Sequence, residues 1–205
     1  HLLATLDELS KFYVATSNYQ AAEPLMNRMI PIEKKKFGTT GKSTLSTETA
    51  LANLYAKENK NAEASALFEE LLPQDEQVFG PDNPVTTYTI EQLVSLDVNA
   101  GDYAKAEPFC RKQLEHAQKS GASDVEILGI LDVLGTIDTK LEHNEELVSV
   151  RKQQLGILEK MSGPHSPMLL ASLDKYAKAL RKIKNDAEAE KVEARAASIK
   201  AARKN

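Results

Sequence analysis

Apolar residues along the chain recur at spacings of three and four, which is the period of an amphipathic α-helix. Few stretches favour strands, and strand-like runs do not alternate with helical ones. The pattern therefore predicts an all-α fold. It returns five times, at Leu6, Leu9, Phe12 and Tyr13, at Leu51, Leu54 and Tyr55, at Ile90, Leu93 and Leu96, at Leu131, Leu134 and Ile137, and at Leu173, Tyr176 and Leu180.

A second helix is predicted after each of these stripes, following a short break such as Gly101-Asp102. One helical hairpin cannot bury its apolar stripe alone, so neighbouring hairpins are expected to stack and share a core. Five hairpins, or ten helices, are expected. The second helices carry a small residue where two helices must approach closely, at Ala22, Ala64, Ala106 and Ala189.

The breaks between hairpins repeat with a nearly constant period. Phe37-Gly38 recurs as Phe79-Gly80, 42 positions later, and Ser120-Gly121 and Ser162-Gly163 follow after 41 and 42 positions. The segment 18–25 aligns with 102–109, at an offset of two periods. A fixed period of this size is the signature of a repeat architecture.

The repeat resembles the tetratricopeptide repeat (TPR) family, in the 42-residue form found in kinesin light chains and many bacterial proteins. The residues that carry the resemblance are Tyr19, Ala22-Glu23-Pro24-Leu25, Gly101-Asp102-Tyr103, Ala106-Glu107-Pro108-Phe109 and Gly80-Pro81-Asp82-Asn83-Pro84. The resemblance implies a right-handed α-α superhelix. We expect one array over 1–205, with units near 1–38, 39–80, 81–121, 122–163 and 164–205, and the last helix, Asn185 to Asn205, as a solvated cap.

The fourth unit departs from the pattern. Leu147 stands in place of the small residue, Asp138 in place of an apolar or aromatic residue, and Arg151 in place of an apolar residue on the second helix. Altered local packing is expected there.

Composition narrows the possible functions. The formal net charge is −4, yet from Gly163 onward ten Lys/Arg stand against five Asp/Glu, so the preceding part carries −9. A weakly acidic array with a basic end argues against a nucleic-acid binder. No apolar run approaches the ~18 residues of a membrane span, so no membrane role is expected. A cytoplasmic location is slightly favoured, although a first residue other than Met suggests a fragment or a processed chain.

The stretch FGTTGKST, Phe37 to Thr44, looks like a phosphate-binding loop. The full motif needs a glycine at position 36, where Lys36 stands, and a preceding strand, where the pattern predicts a helix. The repeat register instead aligns Gly41 with Asn83, Asp124 and Ser166, which are residues typical of helix N-caps. Gly38 aligns with glycines suited to ending a helix in a left-handed turn. No nucleotide binding is expected.

Other catalytic or cofactor sites are not supported by the sequence. The four histidines, His1, His116, His143 and His165, have no second His and no Cys at a metal-binding spacing, and a surface role is favoured for each. Cys110, the one cysteine, falls where other units have Met26 and Phe68, which favours a packed thiol over a nucleophile. We expect a protein without enzymatic activity and without a cofactor or metal.

The resemblance implies that the first helices line a concave face that binds a protein or peptide segment. Asn53, Tyr88, Gln92 and Ser95 form a run of hydrogen-bonding groups suited to an extended peptide. Lysines and an arginine of the last unit are expected toward one end of the array, with Asp7 and Glu8 at the other end. Such a charge gradient would orient a ligand that has an acidic end. The carboxylate clamp of some family members does not fit these positions. The expected contact residues are Lys11, Asn53, Lys57, Tyr88, Gln92, Ser95, Asp132, Thr136, Lys175, Lys178 and Arg181.

Two functions are compatible with these residues. The first is a non-catalytic scaffold that binds a protein or peptide, whose identity the sequence leaves open. The alternative is a regulatory or sensor segment of a larger multidomain protein.

Overall fold

A computed structural model describes residues 1–202, which form ten α-helices and one short 3₁₀ helix, with no strand in that range. None of these helices is long and apolar enough to cross a membrane. The predicted last helix runs to Asn205, but 203–205 lie outside the described residues. The helices are α1 Leu2–Ala15, α2 Tyr19–Phe37, α3 Lys42–Lys57, α4 Asn61–Phe79, α5 Pro84–Ala100, α6 Tyr103–Ser120, α7 Asp124–Lys140, α8 Asn144–Ser162, α9 Leu170–Lys182 and α10 Asp186–Ala202, with the 3₁₀ helix Pro167–Leu169 before α9.

The chain divides into two compact units, His1–Phe109 and Cys110–Asn205. In the first, α1 to α4 each pack against the next helix, and in the second α7 to α9 do the same. The expected repeat boundaries fall in the breaks that precede α3, α5, α7 and α9. One continuous array over 1–205 and the handedness of a superhelix stay predictions.

The residues that begin the first helices follow the predicted punctuation, with one exception. Asn83 caps α5 by accepting a hydrogen bond from the Val85 amide at 3.0 Å, and Gly41 holds the N-cap position of α3. In the fourth unit the prediction of Asp124 is wrong, because the cap is Ser123, which accepts from the Glu126 amide at 3.2 Å. The break after Gly121 is one residue shorter than the others, which moves the cap back by one position.

The glycines that end the second helices need a backbone conformation that other residues rarely adopt. Gly38, Gly80 and Gly163 have φ of 87°, 96° and 86°, as a helix-ending glycine should. Their ψ values, 167°, 157° and 157°, are extended, so the predicted left-handed helical turn is wrong at these three positions. This combination of φ and ψ is essentially restricted to glycine. These three breaks therefore require glycine more strictly than a left-handed helical turn would, since that turn also admits Asn.

The small residues of the second helices, Ala22, Ala64, Ala106 and Ala189, are fully buried. In the first unit Ala22 and Met26 pack against Leu51 and Leu54. In the second unit the core is formed around Leu155, Leu169, Leu173, Leu180, Ala189 and Val192.

The stripe of α1 departs from its equivalents. Leu9 and Phe12 are 39% and 59% exposed, whereas Leu51 and Leu54, 42 positions later, are 4% and 1% exposed. The difference arises because Leu51 and Leu54 are covered by α2, the second helix of the preceding hairpin.

Candidate partner-binding surface

Four of the six contact residues expected in the compact unit His1–Phe109 lie around one cavity. Lys11 of α1, Asn53 and Lys57 of α3 and Tyr88 of α5 line a cavity of about 490 Å³. Its other lining residues are apolar, namely Val14, Ala15, Met26, Ala50 and Leu54. Gln92 and Ser95 lie farther along α5 and do not line this cavity. Residues far apart in sequence thus meet on the face formed by α1, α3 and α5.

Asn53 and Tyr88 bind each other at the centre of this face. The Tyr88 hydroxyl donates a hydrogen bond of 2.6 Å to Asn53 Oδ1, between residues 35 positions apart. The Tyr88 ring packs edge-on against Phe68, with 6.4 Å between ring centroids, and the residue remains 37% exposed. The hydrogen bond leaves the two amide hydrogens of Asn53 available as donors.

Tyr88 also borders a second cavity, of about 370 Å³. Its walls include Leu45, Phe79, Pro84 and Val85, with Lys42 among the lining residues. The Lys42 ammonium lies 5.6 Å from the centroid of the Phe79 ring, a distance suited to a cation–π contact. Tyr88 therefore stands between two cavities with apolar walls.

The lysines of the first cavity have contacts of their own. The Lys11 ammonium lies 2.7 Å from the Asp7 carboxylate, one helical turn away. The Lys57 ammonium lies 5.9 Å from the centroid of the Tyr19 ring. Exposed pairs of this kind are weak, so both ammonium groups can exchange partners at little cost.

In the compact unit Cys110–Asn205, four expected contact residues form local ion pairs and Thr136 forms a local hydrogen bond. Lys175 Nζ lies 3.4 Å from Asp132 Oδ1, and Lys178 pairs with Asp174 at 2.7 Å. Thr136 donates from its hydroxyl to the backbone carbonyl of Asp132 at 3.0 Å. Arg181 pairs with two carboxylates of α10, Asp186 and Glu193, both at 2.9 Å. Asp132 and Lys175 border a common cavity.

The fourth repeat, 122–163, places two polar residues in its core, and the sequence pattern predicts no binding role for either. Arg151 and Gln154 are only 9% and 7% exposed, and Arg151 Nη1 donates to Gln154 Oε1 at 2.7 Å. Arg151 stood out as a departure from the pattern but was interpreted as altered packing. Asp138, the other polar departure, is fully buried and pairs with Arg111 at 2.9 Å.

Asp132 connects these buried groups to the surface. Burial would raise the pKa of Asp132, but the hydrogen bond from Gln154 and the charges of Lys175 and Arg151 outweigh it and lower the pKa below its ordinary value. The Asp132 carboxylate is therefore ionised at neutral pH.

The phosphate-loop look-alike serves the break between α2 and α3. A Cβ at Gly41 would lie 2.7 Å from the Phe37 carbonyl oxygen, so the close approach of the chain requires glycine. Ser43 donates from its hydroxyl to Glu33 Oε1 at 2.6 Å. A buried carboxylate at this position would repel a phosphate.

Cys110 is a packed thiol, as predicted. Its side chain is buried and its Sγ lies 3.8 Å from the Ile130 carbonyl oxygen. Burial, with a smaller contribution from Asp138, raises the pKa of the thiol to about 12. A thiol that stays protonated at neutral pH is a poor nucleophile.

Solved structures similar to this chain are TPR-like repeat proteins. A Podosopora anserina protein with nearly identical TPR-like repeats of the kinesin light chain type is 20% identical at a TM-score of 0.65, over 98% of this chain and 97% of that one. BtubC (BKLC) of P. vanneervenii is 15% identical at 0.59, over 98% and 80%. MamA of Desulfovibrio magneticus RS-1 is 9% identical at 0.57, over 100% and 98%. The chain thus has the TPR-like repeat fold, which confirms the predicted fold class.

Sequence comparison adds no closer relative. No family model matches the sequence, and no curated protein matches it.

Proposed function

We propose that this chain, built on the TPR-like repeat fold, is a non-catalytic scaffold that binds a protein or peptide segment on the face formed by α1, α3 and α5. The observation that carries the proposal is the Asn53–Tyr88 pair, which stands between two cavities with apolar walls. Surfaces that bind an extended peptide commonly combine hydrogen bonds to its backbone with pockets for its side chains. Such a face suits binding better than catalysis.

The chemistry of the pair suits an extended segment. The Asn53 amide can donate to a backbone carbonyl, and the Tyr88 hydroxyl oxygen can accept from a backbone N–H while it still donates to Asn53. Side chains on either side of that backbone would enter the two cavities, next to Met26 and Leu54 or next to Leu45 and Phe79. Lys11, Lys57 and Lys42 at their edges favour a segment that is not basic.

The test is capture of partners from a cell lysate, followed by mass spectrometry, with three forms of the protein. The wild type is compared with an Asn53→Ala, Tyr88→Ala double variant and with a control variant, Glu70→Ala and Gln77→Ala, which changes two exposed residues of α4. We expect the Asn53→Ala, Tyr88→Ala variant, called the groove variant below, to bind an identified partner at least about tenfold more weakly than the wild type, which is a loss of about 1.4 kcal/mol.

Helicity measured by circular dichroism should be equal in all three forms, because both groove residues lie at a surface. Tyr88→Phe, which keeps the ring next to Phe68 and removes the hydroxyl, separates the hydrogen bond from the packing. Equal affinity of the wild type and the groove variant for the same partner would refute the assignment of this face.

A further inference from the structure

The fourth hairpin replaces two core positions with polar side chains. Arg151 occupies the position that Met26, Phe68 and Cys110 fill in earlier repeats, and Gln154 the position of Met29, Leu71 and Gln113. Gln113 is half-buried, whereas the other earlier equivalents are buried, and so are Arg151 and Gln154. A buried Arg is costly unless it is fully paired, so its presence in a core calls for a compensating contact.

Gly135 of α7 provides the space that Arg151 needs. A Cβ at Gly135 would lie 2.8 Å from both the guanidinium carbon and Nη2 of Arg151, closer than real Cβ contacts. The equivalent positions in earlier units are Ala52 and Val94, which carry a Cβ. The large cation and the missing side chain therefore belong to one arrangement.

The pairing of Arg151 within the described residues is incomplete. Only Nη1 donates, to Gln154 Oε1 at 2.7 Å and to Asp132 Oδ1 at 3.3 Å, although a guanidinium has five N–H groups. The same Oδ1 also accepts from Gln154 Nε2 and from Lys175 Nζ, each at 3.4 Å. Three donors converge on one oxygen at long distances, so two cations share a single carboxylate.

Asp132, Gln154 and Lys175 border a cavity of about 350 Å³ formed by α7, α8 and α9 with the 3₁₀ helix. Arg151 does not line this cavity but contacts two of its lining residues, Asp132 and Gln154. Ser172, which lines it, is 7% exposed, and its hydroxyl has no hydrogen-bond partner among residues 1–202. Gln154 and Lys175 line it as well, and each can donate a hydrogen bond. The apolar part of the wall comes from Leu128, Leu158, Met168 and Ala171.

We propose that this cavity is a subsite for the carboxylate of an acidic side chain, supplied by the polypeptide that the chain binds. A second carboxylate would balance Arg151 and Lys175 against Asp132, and it would give the Ser172 hydroxyl an acceptor. The methylene groups of the acidic side chain would pack against Leu158 and Met168. This subsite rests on the proposed function, because it requires a polypeptide ligand.

The test uses two matched peptides as probes, acetyl-Leu-Glu-Leu-amide and acetyl-Leu-Gln-Leu-amide, which differ in one charge. They are titrated into the ¹⁵N-labelled full chain, and amide chemical shifts of Gly129, Ala171 and Ser172 are followed by NMR. We expect saturable shifts with the Glu peptide only. Lys175→Gln should weaken this binding at least about tenfold and Ser172→Ala by a smaller factor, because charge-assisted hydrogen bonds are the stronger ones.

Lys160→Gln is the matched control, since Lys160 is an exposed lysine of α8 that pairs with Asp124 at 3.1 Å and does not line the cavity. Its binding should equal that of the wild type. Equal shifts with the Gln peptide would reduce the cavity to an apolar pocket and overturn the proposal, as would the absence of saturable shifts. The two tests are independent. If neither peptide binds the cavity, the partner-capture test of Asn53 and Tyr88 is unaffected. If the Asn53→Ala, Tyr88→Ala variant keeps its affinity for a partner, the peptide titration of the cavity is unaffected.

Discussion

At the scale of single residues, buried carboxylates that form no ion pair within residues 1–202 are the least expected feature of the core. Asp75 is fully buried, and Thr89 donates a 2.7 Å hydrogen bond to its Oδ2 while Oδ1 has no partner among the described residues. Asp97 repeats the arrangement with Ser65 as the donor, at 2.8 Å. Burial raises the pKa of both carboxyl groups, and the hydroxyl hydrogen bonds offset only part of the effect.

A raised pKa in the folded state makes these groups a source of stability at low pH. Below the pKa of about 3.9 that Asp has in the unfolded state, the carboxyl group is protonated in both the folded and the unfolded state, so the free energy of unfolding does not change with pH. As the pH rises from there through the folded pKa, the unfolded state releases its proton first, so the free energy of unfolding falls. Asp75 therefore costs stability at neutral pH.

Asp75→Asn should remove this dependence. Urea unfolding is measured at several pH values from about 4 to 7, and the free energy of unfolding of the variant minus that of the wild type should become more positive as the pH rises. Glu70→Gln, an exposed change of carboxylate to amide on the same helix, is the control. A difference for Asp75→Asn that stays constant over this range would contradict the raised pKa.

At the scale of single helices, α8 contains a glycine in its interior and ends at another, and the two should respond oppositely to alanine. Gly156 has open space where a Cβ would be placed. Gly156→Ala should therefore raise the free energy of unfolding by about 0.5–1 kcal/mol, because alanine loses less backbone entropy in a helix. Gly163 has φ of 86° and ψ of 157°, a conformation that is strained for alanine. Gly163→Ala should therefore lower the free energy of unfolding by about 1–3 kcal/mol.

Chemical denaturation of the two variants checks this pair, with each acting as the control of the other. Destabilisation by Gly156→Ala would show that its apparent open space is filled in solution. An unchanged Gly163→Ala variant would show that the break after α8 can adopt another backbone conformation.

The helices themselves could be predicted because their signals are local. The period of the apolar stripes located the helices, and the four alanines predicted at close helix contacts are all fully buried. The cap at Ser123 was missed because alignment by period cannot detect a break that is one residue shorter. Local signals thus located the elements but not every boundary.

The sites were less predictable because they depend on tertiary coincidence. Asn53 and Tyr88 were predicted to face a ligand, but their mutual hydrogen bond joins residues 35 positions apart. Arg151 looked like a defect in its own helix, and only the position of Gly135 on α7 shows that the guanidinium has a place. Neither contact has a signature in periodicity or composition.

At the scale of the whole chain, each unit contains a core of its own. Leu71 is fully buried in the first unit, and Leu173 is 1% exposed in the second. In repeat folds, stability is approximately the sum of each repeat and its interfaces with immediate neighbours. A cavity made in one core should therefore act mainly on the helices next to it.

Leu71→Ala and Leu173→Ala form a matched pair for this prediction. Each should lower stability by about 2–5 kcal/mol, since both leave a cavity in a packed core. Native-state hydrogen exchange should show lost protection for Leu71→Ala mainly in α3, α4 and α5, and for Leu173→Ala mainly in α8, α9 and α10. If both variants lose protection equally over the same helices, the chain unfolds as one cooperative body, and the nearest-neighbour description does not apply to it.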